Sequence, residues 1–300
     1  MRARAVFNDF LLLLTAGIWG FAFVAQRMGM AHIGPFFFNG VRFLLGSLVL
    51  LPLAWRWAPL PRASRLPLLR VGLGTGLVLF AAAGLQQAGL VYTTAGNAGF
   101  ITGLYVVLVP LMGIHRRQVV GRLRWVAVLL AVGGLYLLSV QAGFSINPGD
   151  ALVVGSAFFF ALHVQIIDHI SRRHSALWFS LVQYFVVALV SLLVAFFTEP
   201  IELGALRSAG VPILYGGIGS ISIAYTLQVV AQRRAVPSHA AILLSLEGTF
   251  AAIGGWLILS EVLSARAALG CALLLAGMII SQVAGLRRTP MLDTPVPSAS

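Results

Sequence analysis

The chain has 300 residues, 59% of them hydrophobic and 9% charged, with a mean hydropathy of +0.96. That composition excludes a soluble globular enzyme and identifies an integral membrane protein. The formal net charge of +12 does not point to nucleic acid, because all twenty basic residues are arginines and most stand in short clusters between apolar runs.

Apolar stretches of about 20 residues, each enough to cross ~30 Å of hydrocarbon, recur up to residue 286. Runs such as Leu189 to Phe197 and Ala268 to Ile280 are apolar throughout, which is not the alternation of a membrane β-barrel. The spans are therefore α-helical. Arginine clusters, prolines and polar turns separate ten predicted helices: 10–29, 35–55, 68–91, 95–114, 123–140, 150–170, 176–197, 209–231, 239–259 and 266–286. Met1 to Phe10 is short and basic but runs into the first span without a small-residue cleavage site, so no cleaved signal peptide is expected. Residues 289–300 are rich in Pro, Ser and Thr, and a disordered tail is expected there. The single cysteine, Cys271, lies inside the last apolar run and reads as packing.

With the N-terminus in the cytoplasm, sixteen of the twenty arginines fall on that side. Glu199, Glu202 and Glu261 fall on the other side with Arg27, Arg207 and Arg266, while Arg42 lies within a span. The bias predicts that both termini are cytoplasmic, which requires an even number of crossings.

The chain also matches itself at a shift of 142 residues: Gly74/Gly216, Ala82/Ala224, Gln86/Gln228, Ala98/Ala240, Leu104/Leu246 and Gly113/Gly255 coincide. Arginine clusters follow helices two and four in the first half, but the first, third and fifth helices of the second half. The two halves, 1–142 and 148–288, therefore read as five-helix repeats of opposite orientation, a plan recurrent in secondary transporters with a site near the midplane.

The residues carrying a family resemblance are Trp19 and Gly20 in helix one, Arg42 and Phe43 in helix two, and YTTAGNAGFITGLYVVLVPL from Tyr92. AAILLSLEG from Ala240, then Leu259 to Glu261, Gly270 and Gly277 complete the set. In combination, over residues 10–286, the chain resembles the EamA-type branch of the drug/metabolite transporter superfamily. The resemblance implies ten helices in two inverted repeats, no ATP and no other cofactor, and movement of small metabolites or drugs, often outward, through a central cavity. It implies a multi-pass protein of a bacterial-type inner membrane. Many relatives have Pro directly after the helix-nine Glu, where this chain has Gly248, so helix nine is expected to bend differently.

An ionisable group at mid-bilayer costs roughly 2.5–3.5 kcal/mol on insertion scales, so each one is expected to face a partner or a cavity. Glu247, in the middle of predicted helix nine, is the one carboxylate clearly at that depth; it can carry a proton, bind a cationic group, or hold its helix in place. Its repeat counterpart is Tyr105. Arg42 can attract an anionic substrate group, pair with a carboxylate such as Glu247, or snorkel to the interface. Gln86 and Gln87 on helix three, and Tyr225 and Gln228 one turn apart on helix eight, can meet substrate or bond across helices. His163 is the titratable neutral group at mid-span. Asp168 and His169 lie five and six residues from it on other helix faces, so no metal site follows. Trp19 and Tyr184, with Phe23, Phe100, Phe160, Trp178 and Phe250, can stack on a ligand or pack the core. Asn97, within the motif quoted above, completes the candidate set. Trp55, Trp57 and Trp125 stand beside arginine clusters and read as interfacial anchors. Gly72/Gly76 and Gly99/Gly103 are small-xxx-small faces for close helix contact, and Pro110 can kink helix four.

The expected function is a secondary transporter working by alternating access on a small-molecule substrate, with protons as a candidate coupling ion and no nucleic-acid partner. Exchange of a sugar phosphate or nucleotide sugar would need several interior basic groups. A membrane receptor without transport is the other class left open. No converging nucleophile, acid and metal set marks a membrane enzyme.

Overall fold

The computed structural model describes residues 2–58, 60–112, 122–139, 146–170, 175–232, 243–244 and 246–286. Its helices are α1 (Arg2–Gly29), α2 (Pro35–Trp57), α3 (Arg62–Gly89), α4 (Ala95–Thr102), α5 (Tyr105–Met112), α6 (Arg122–Ser139), α7 (Pro148–Ile170) and α8 (Ala176–Thr198). They are followed by α9 (Ala205–Ser208), α10 (Gly210–Leu214), a π-helical segment (Tyr215–Ala224), α11 (Tyr225–Gln232), α12 (Glu247–Leu259) and α13 (Ala265–Leu286). Among the described residues, six helices are long and apolar enough to cross a membrane and four shorter ones are apolar. The predicted tail at 289–300 and the first residues of predicted helix nine, 239–242, lie outside the described residues.

Several spans differ from the sequence expectation, and the first begins at Arg2 rather than at residue 10. The third begins at Arg62 rather than at residue 68, with Pro67 inside the helix, where it forgoes one i→i−4 bond. The fourth is not continuous over 95–114. It breaks at Gly103–Leu104, where the amides of Leu104, Val106 and Val107 bond three residues back at 3.1, 3.0 and 2.9 Å, a local 3₁₀ tightening. Pro110, the expected kink, instead lies inside α5. The eighth span widens into a π-helix, and the Ser222 hydroxyl donates to the carbonyl of Gly217, five residues back, at 3.2 Å and to Gly46 of α2 at 3.1 Å.

Large apolar side chains face outward along the spans, as lipid requires: Leu189, Leu193, Phe196 and Phe197 on α8, and Trp256, Leu257 and Ile258 on α12, are exposed. Trp55, Trp57 and Trp125 are exposed as well, as the interfacial reading expects.

Inside, α6 packs along α13, α2 along α8, α3 against α7 and α8, α1 against α12 and the π-segment, and α4 against α12. Small residues make these approaches possible. A Cβ on Gly72 or Gly76 would come within 2.6 Å of Val182 or 2.7 Å of Val186, so the two glycines seat α3 on α8. Gly99 and Gly103 do the same against Ala251 and Met278, at 2.5 and 2.7 Å. Lipid tails give helices no hydrophobic reason to associate, so contact of this kind, with polar pairs, supplies the cohesion.

One end of the bundle is tied by polar groups. The Glu199 carboxylate accepts the backbone N–H groups of Phe36 and Phe37 at 2.7 and 2.8 Å, capping α2. Glu261 does the same for α4, taking Ala95 and Gly96 at 2.9 and 3.3 Å. Both satisfy donors that a helix start leaves unpaired, with the charge sign the helix dipole favours. On the same rim Arg27 donates to the carbonyls of Leu90 and Val91, Thr93 donates to Asp150, and Asn147 caps Gly149 at 2.7 Å. Arg56, Arg65, Arg70 and Arg122 stand exposed at the opposite ends of their helices.

Candidate functional site

The two breaks in the apolar helices organise the interior. α5 starts at Tyr105 and α12 starts at Glu247, positions 142 residues apart. Each places a helix N-terminus inside an apolar span. Glu247 is therefore at the start of a helix, not in the middle of one as the sequence suggested. It is 5% exposed, and its carboxylate lies within electrostatic range of the Tyr105 hydroxyl. Among the described residues it makes no hydrogen bond or ion pair. The backbone is crowded here, since a Cβ on Gly20 of α1 would sit 2.6 Å from the Glu247 carbonyl, and one on Gly248 would sit 3.1 Å from the Cα of Phe100. Gly248 lets α4 and α12 cross this closely.

A second polar group lies between α2, α3 and the π-segment. Arg42 is 4% exposed, so it is buried and does not snorkel to the interface. Its Nε donates to Asn39 Oδ1 at 2.9 Å, and Asn39 Nδ2 donates to the Ala83 carbonyl of α3 at 3.0 Å. The rings of Phe38 and Phe43 lie 5.7 and 5.1 Å from the guanidinium carbon, within cation–π range. Gly216 leaves room for the Arg42 side chain, with a Cβ position only 3.1 Å from Arg42 Cδ. Arg42 and Glu247 do not pair with each other.

The remaining candidates are spread around these two. Tyr184 stacks edge-on against Tyr225 at 5.5 Å and meets Phe43 at 5.8 Å, linking α8, α11 and α2. His163 Nε2 and Gln183 Oε1 are 2.6 Å apart, which satisfies that ring nitrogen within the bundle. Gln86 donates to Thr102 at 3.1 Å, beside the α4 break, whereas the amide of buried Gln87 has no partner among the described residues. Trp19 donates to the Ser220 carbonyl at 3.1 Å, and Tyr215 donates to Ile18 at 2.9 Å, so the π-segment is tied to α1. Gln228 is half-buried on α11. Asn97 is half-buried and its backbone bonds the α4 cap, Thr94, at 3.1 Å, which ties it to that cap near the rim, away from the break. The side chains of Asp168 and His169 lie outside the described residues. Asn39 and the π-segment were not singled out from the sequence, although Asn39 precedes Arg42 by three residues and so shares its helix face.

Residues 6–140 and 147–282 each match the EamA-like transporter family. The chain belongs to that family. It is accordingly a multi-pass membrane transporter and not an enzyme. An uncharacterized transporter of Archaeoglobus fulgidus is 33% identical over 278 residues, spanning 92% of this chain and 86% of that protein. The uncharacterized inner membrane transporter YedA of Escherichia coli is 27% identical over 46% of this chain and 45% of its own. A solved crystal structure superposes on 96% of this EamA-like chain and 100% of that one, with a TM-score of 0.66 at 19% identity, which bears on the fold alone.

Proposed function

We propose that this EamA-like protein is a secondary transporter that moves small metabolites such as amino acids, or drugs, outward by alternating access, with protons as a candidate coupling ion. Substrate is held between two inverted five-helix repeats, 1–142 and 148–288, in a ten-span bundle with both termini in the cytoplasm of a bacterial-type inner membrane. The observation that carries the reading is the pair of helix starts at Tyr105 and Glu247, 142 residues apart within apolar spans. Interrupted helices at corresponding positions of two halves are the pattern of transporter binding sites.

The packing supports the same reading. When the halves are exchanged in order, α1 on α12 becomes α7 on α4 and α5, and α2 on the π-segment becomes α8 on α3; both members of each exchange are present. Contacts of α2 with α8, α4 with α12 and α6 with α13 map onto themselves. Six long and four shorter apolar helices among the described residues support ten spans. Exchange of sugar phosphates is less supported, because Arg42 is the one buried arginine among the described residues.

The test is counterflow in proteoliposomes preloaded with a metabolite and drug panel. Exchange of at least one compound by the wild type, lost in Glu247→Gln while the variant stays folded, is the expected result. Equal exchange by the wild type and Glu247→Gln would remove the site from this place. Absence of exchange for any compound, with a folded protein, would favour a receptor.

A further inference from the structure

Arg42 carries more hydrogen-bonding capacity than the protein uses. A guanidinium has five N–H donors in a fixed plane, and among the described residues only Nε has an acceptor, Asn39 Oδ1 at 2.9 Å. Among the described residues no carboxylate lies within ion-pair distance, although the residue is 4% exposed. The residue is buried, and the two terminal nitrogens at the end of the fork have no acceptor among the described residues, although they are not sealed within the protein.

It is also held still. Asn39 is anchored in turn to the Ala83 carbonyl at 3.0 Å, and the rings of Phe38 and Phe43 lie 5.7 and 5.1 Å from the guanidinium carbon. The Nε edge is occupied, so a ligand reaches the fork end-on, through the two terminal nitrogens. That geometry is matched by the two oxygens of a planar carboxylate, the group an arginine fork binds bidentately. Beyond Phe43 stand Tyr184 and Tyr225, in an edge-to-face pair, which offer an apolar aromatic wall to whatever the carboxylate is attached to.

We propose that Arg42 is the anion subsite of the transported molecule: it takes the carboxylate of an organic substrate end-on, with Asn39 as its positioning residue and the Phe43, Tyr184 and Tyr225 rings beside the substrate body. The proposal rests on the transporter reading above and deepens it by naming the chemical class of the substrate. Glu247 lies apart from Arg42 and is left free to meet a proton or a cationic group.

The experiment is thermal unfolding of the purified full-length protein with benzoate and with benzamide, which has the same ring but no charge. Chloride and inorganic phosphate are tested in parallel. Benzoate is expected to raise the Tm in a concentration-dependent way by mass action, with benzamide without effect. Arg42→Lys, which keeps the charge and loses the fork, is expected to raise the half-maximal benzoate concentration by roughly tenfold or more, on the scale of one charge-assisted hydrogen bond. Asn39→Ala is expected to give a smaller rise in the same direction.

Equal stabilisation by benzoate and benzamide, no stabilisation by benzoate, or stabilisation that Arg42→Lys leaves intact would each overturn the proposal. Stabilisation by chloride or phosphate as strong as by benzoate would also overturn it, in favour of a free inorganic anion. If the Arg42 variant does not fold, the wild-type comparison of benzoate with benzamide still decides. The assay involves no transport, so benzoate binding without counterflow of any compound would sink the transporter reading and leave the site. Counterflow without carboxylate selectivity would do the reverse.

Discussion

Glu261 and Glu247 stand on the same stretch of chain, and the protein treats them in opposite ways. Glu261 spends both oxygens on the first amides of α4, as Glu199 does on those of α2. Glu247 is 5% exposed and makes no hydrogen bond among the described residues. Arg27 and Arg42 repeat the contrast with the opposite sign. Arg27 closes on the carbonyls of Leu90 and Val91 at the rim, whereas most donors of buried Arg42 have no acceptor among the described residues. A charge whose partners are supplied by the fold contributes stability. A buried charge without them costs stability and persists where a ligand or a proton completes it. The contrast separates the rim, which is structural, from the helix breaks and the Arg42 fork, where the substrate is proposed to bind.

Substituting the two glutamates is the most direct way to break this comparison. Glu247→Gln is expected to lower exchange by roughly tenfold or more, equivalent to about 1.4 kcal/mol of lost interaction, with the thermal midpoint in detergent unchanged or slightly raised. Glu261→Ala is expected to show the opposite pattern. It strips two helix-start amides of their acceptor and lowers unfolding free energy by about 1–2 kcal/mol, as cap losses do, while the surviving folded fraction still transports. A thermal shift for Glu247→Gln as large as that for Glu261→Ala would mean that Glu247 is structural and that the contrast is false.

Tyr105 sharpens the same comparison with a smaller effect. If the two helix starts form one site, Tyr105→Phe removes a hydroxyl near Glu247 and slows exchange by a factor of roughly three to ten, the worth of one modest hydrogen bond. Tyr136, exposed on α6, serves as the control, and Tyr136→Phe is expected to leave the rate unchanged. Identical rates for both variants would detach the fourth span from the site.

Much of this was legible in the sequence, for identifiable reasons. Hydropathy reports spans because lipid leaves the backbone no alternative to the helix. The 142-residue shift reports equivalent positions, and it pairs Tyr105 with Glu247. The interruptions themselves were not legible. Pro110 was the visible candidate for a kink, yet the chain breaks at Gly103, which packs against Met278 of α13, a partner fixed only by the fold. The π-segment has the same origin. YGGIGSISIA reads as an ordinary apolar run, and its widening coincides with Ser222 reaching both its own helix and Gly46 of α2. Nor can sequence show that Glu199, 163 residues from Phe36, caps its helix. Long-range polar contacts are where the structure adds most to the sequence.

The smallest expected effect tests whether the contact geometry is right at a place far from any charge. Gly133 and Gly134 are neighbours on α6, but they face different surroundings. A Cβ on Gly134 would lie 2.6 Å from the Gly270 carbonyl and 2.8 Å from the Leu274 amide nitrogen, while nothing lies within 4 Å of one on Gly133. Backbone atoms cannot give way as a flexible side chain can. Gly134→Ala therefore pushes α6 from α13 and is expected to cost about 1–3 kcal/mol, read as a lower thermal midpoint. Gly133→Ala meets open space, gains helix propensity and is expected to raise stability by up to about 1 kcal/mol. The two substitutions add the same atom one residue apart, so propensity alone predicts equal gains, and only the observed α6–α13 contact predicts opposite signs. Equal shifts would show that α6 turns a different face to α13.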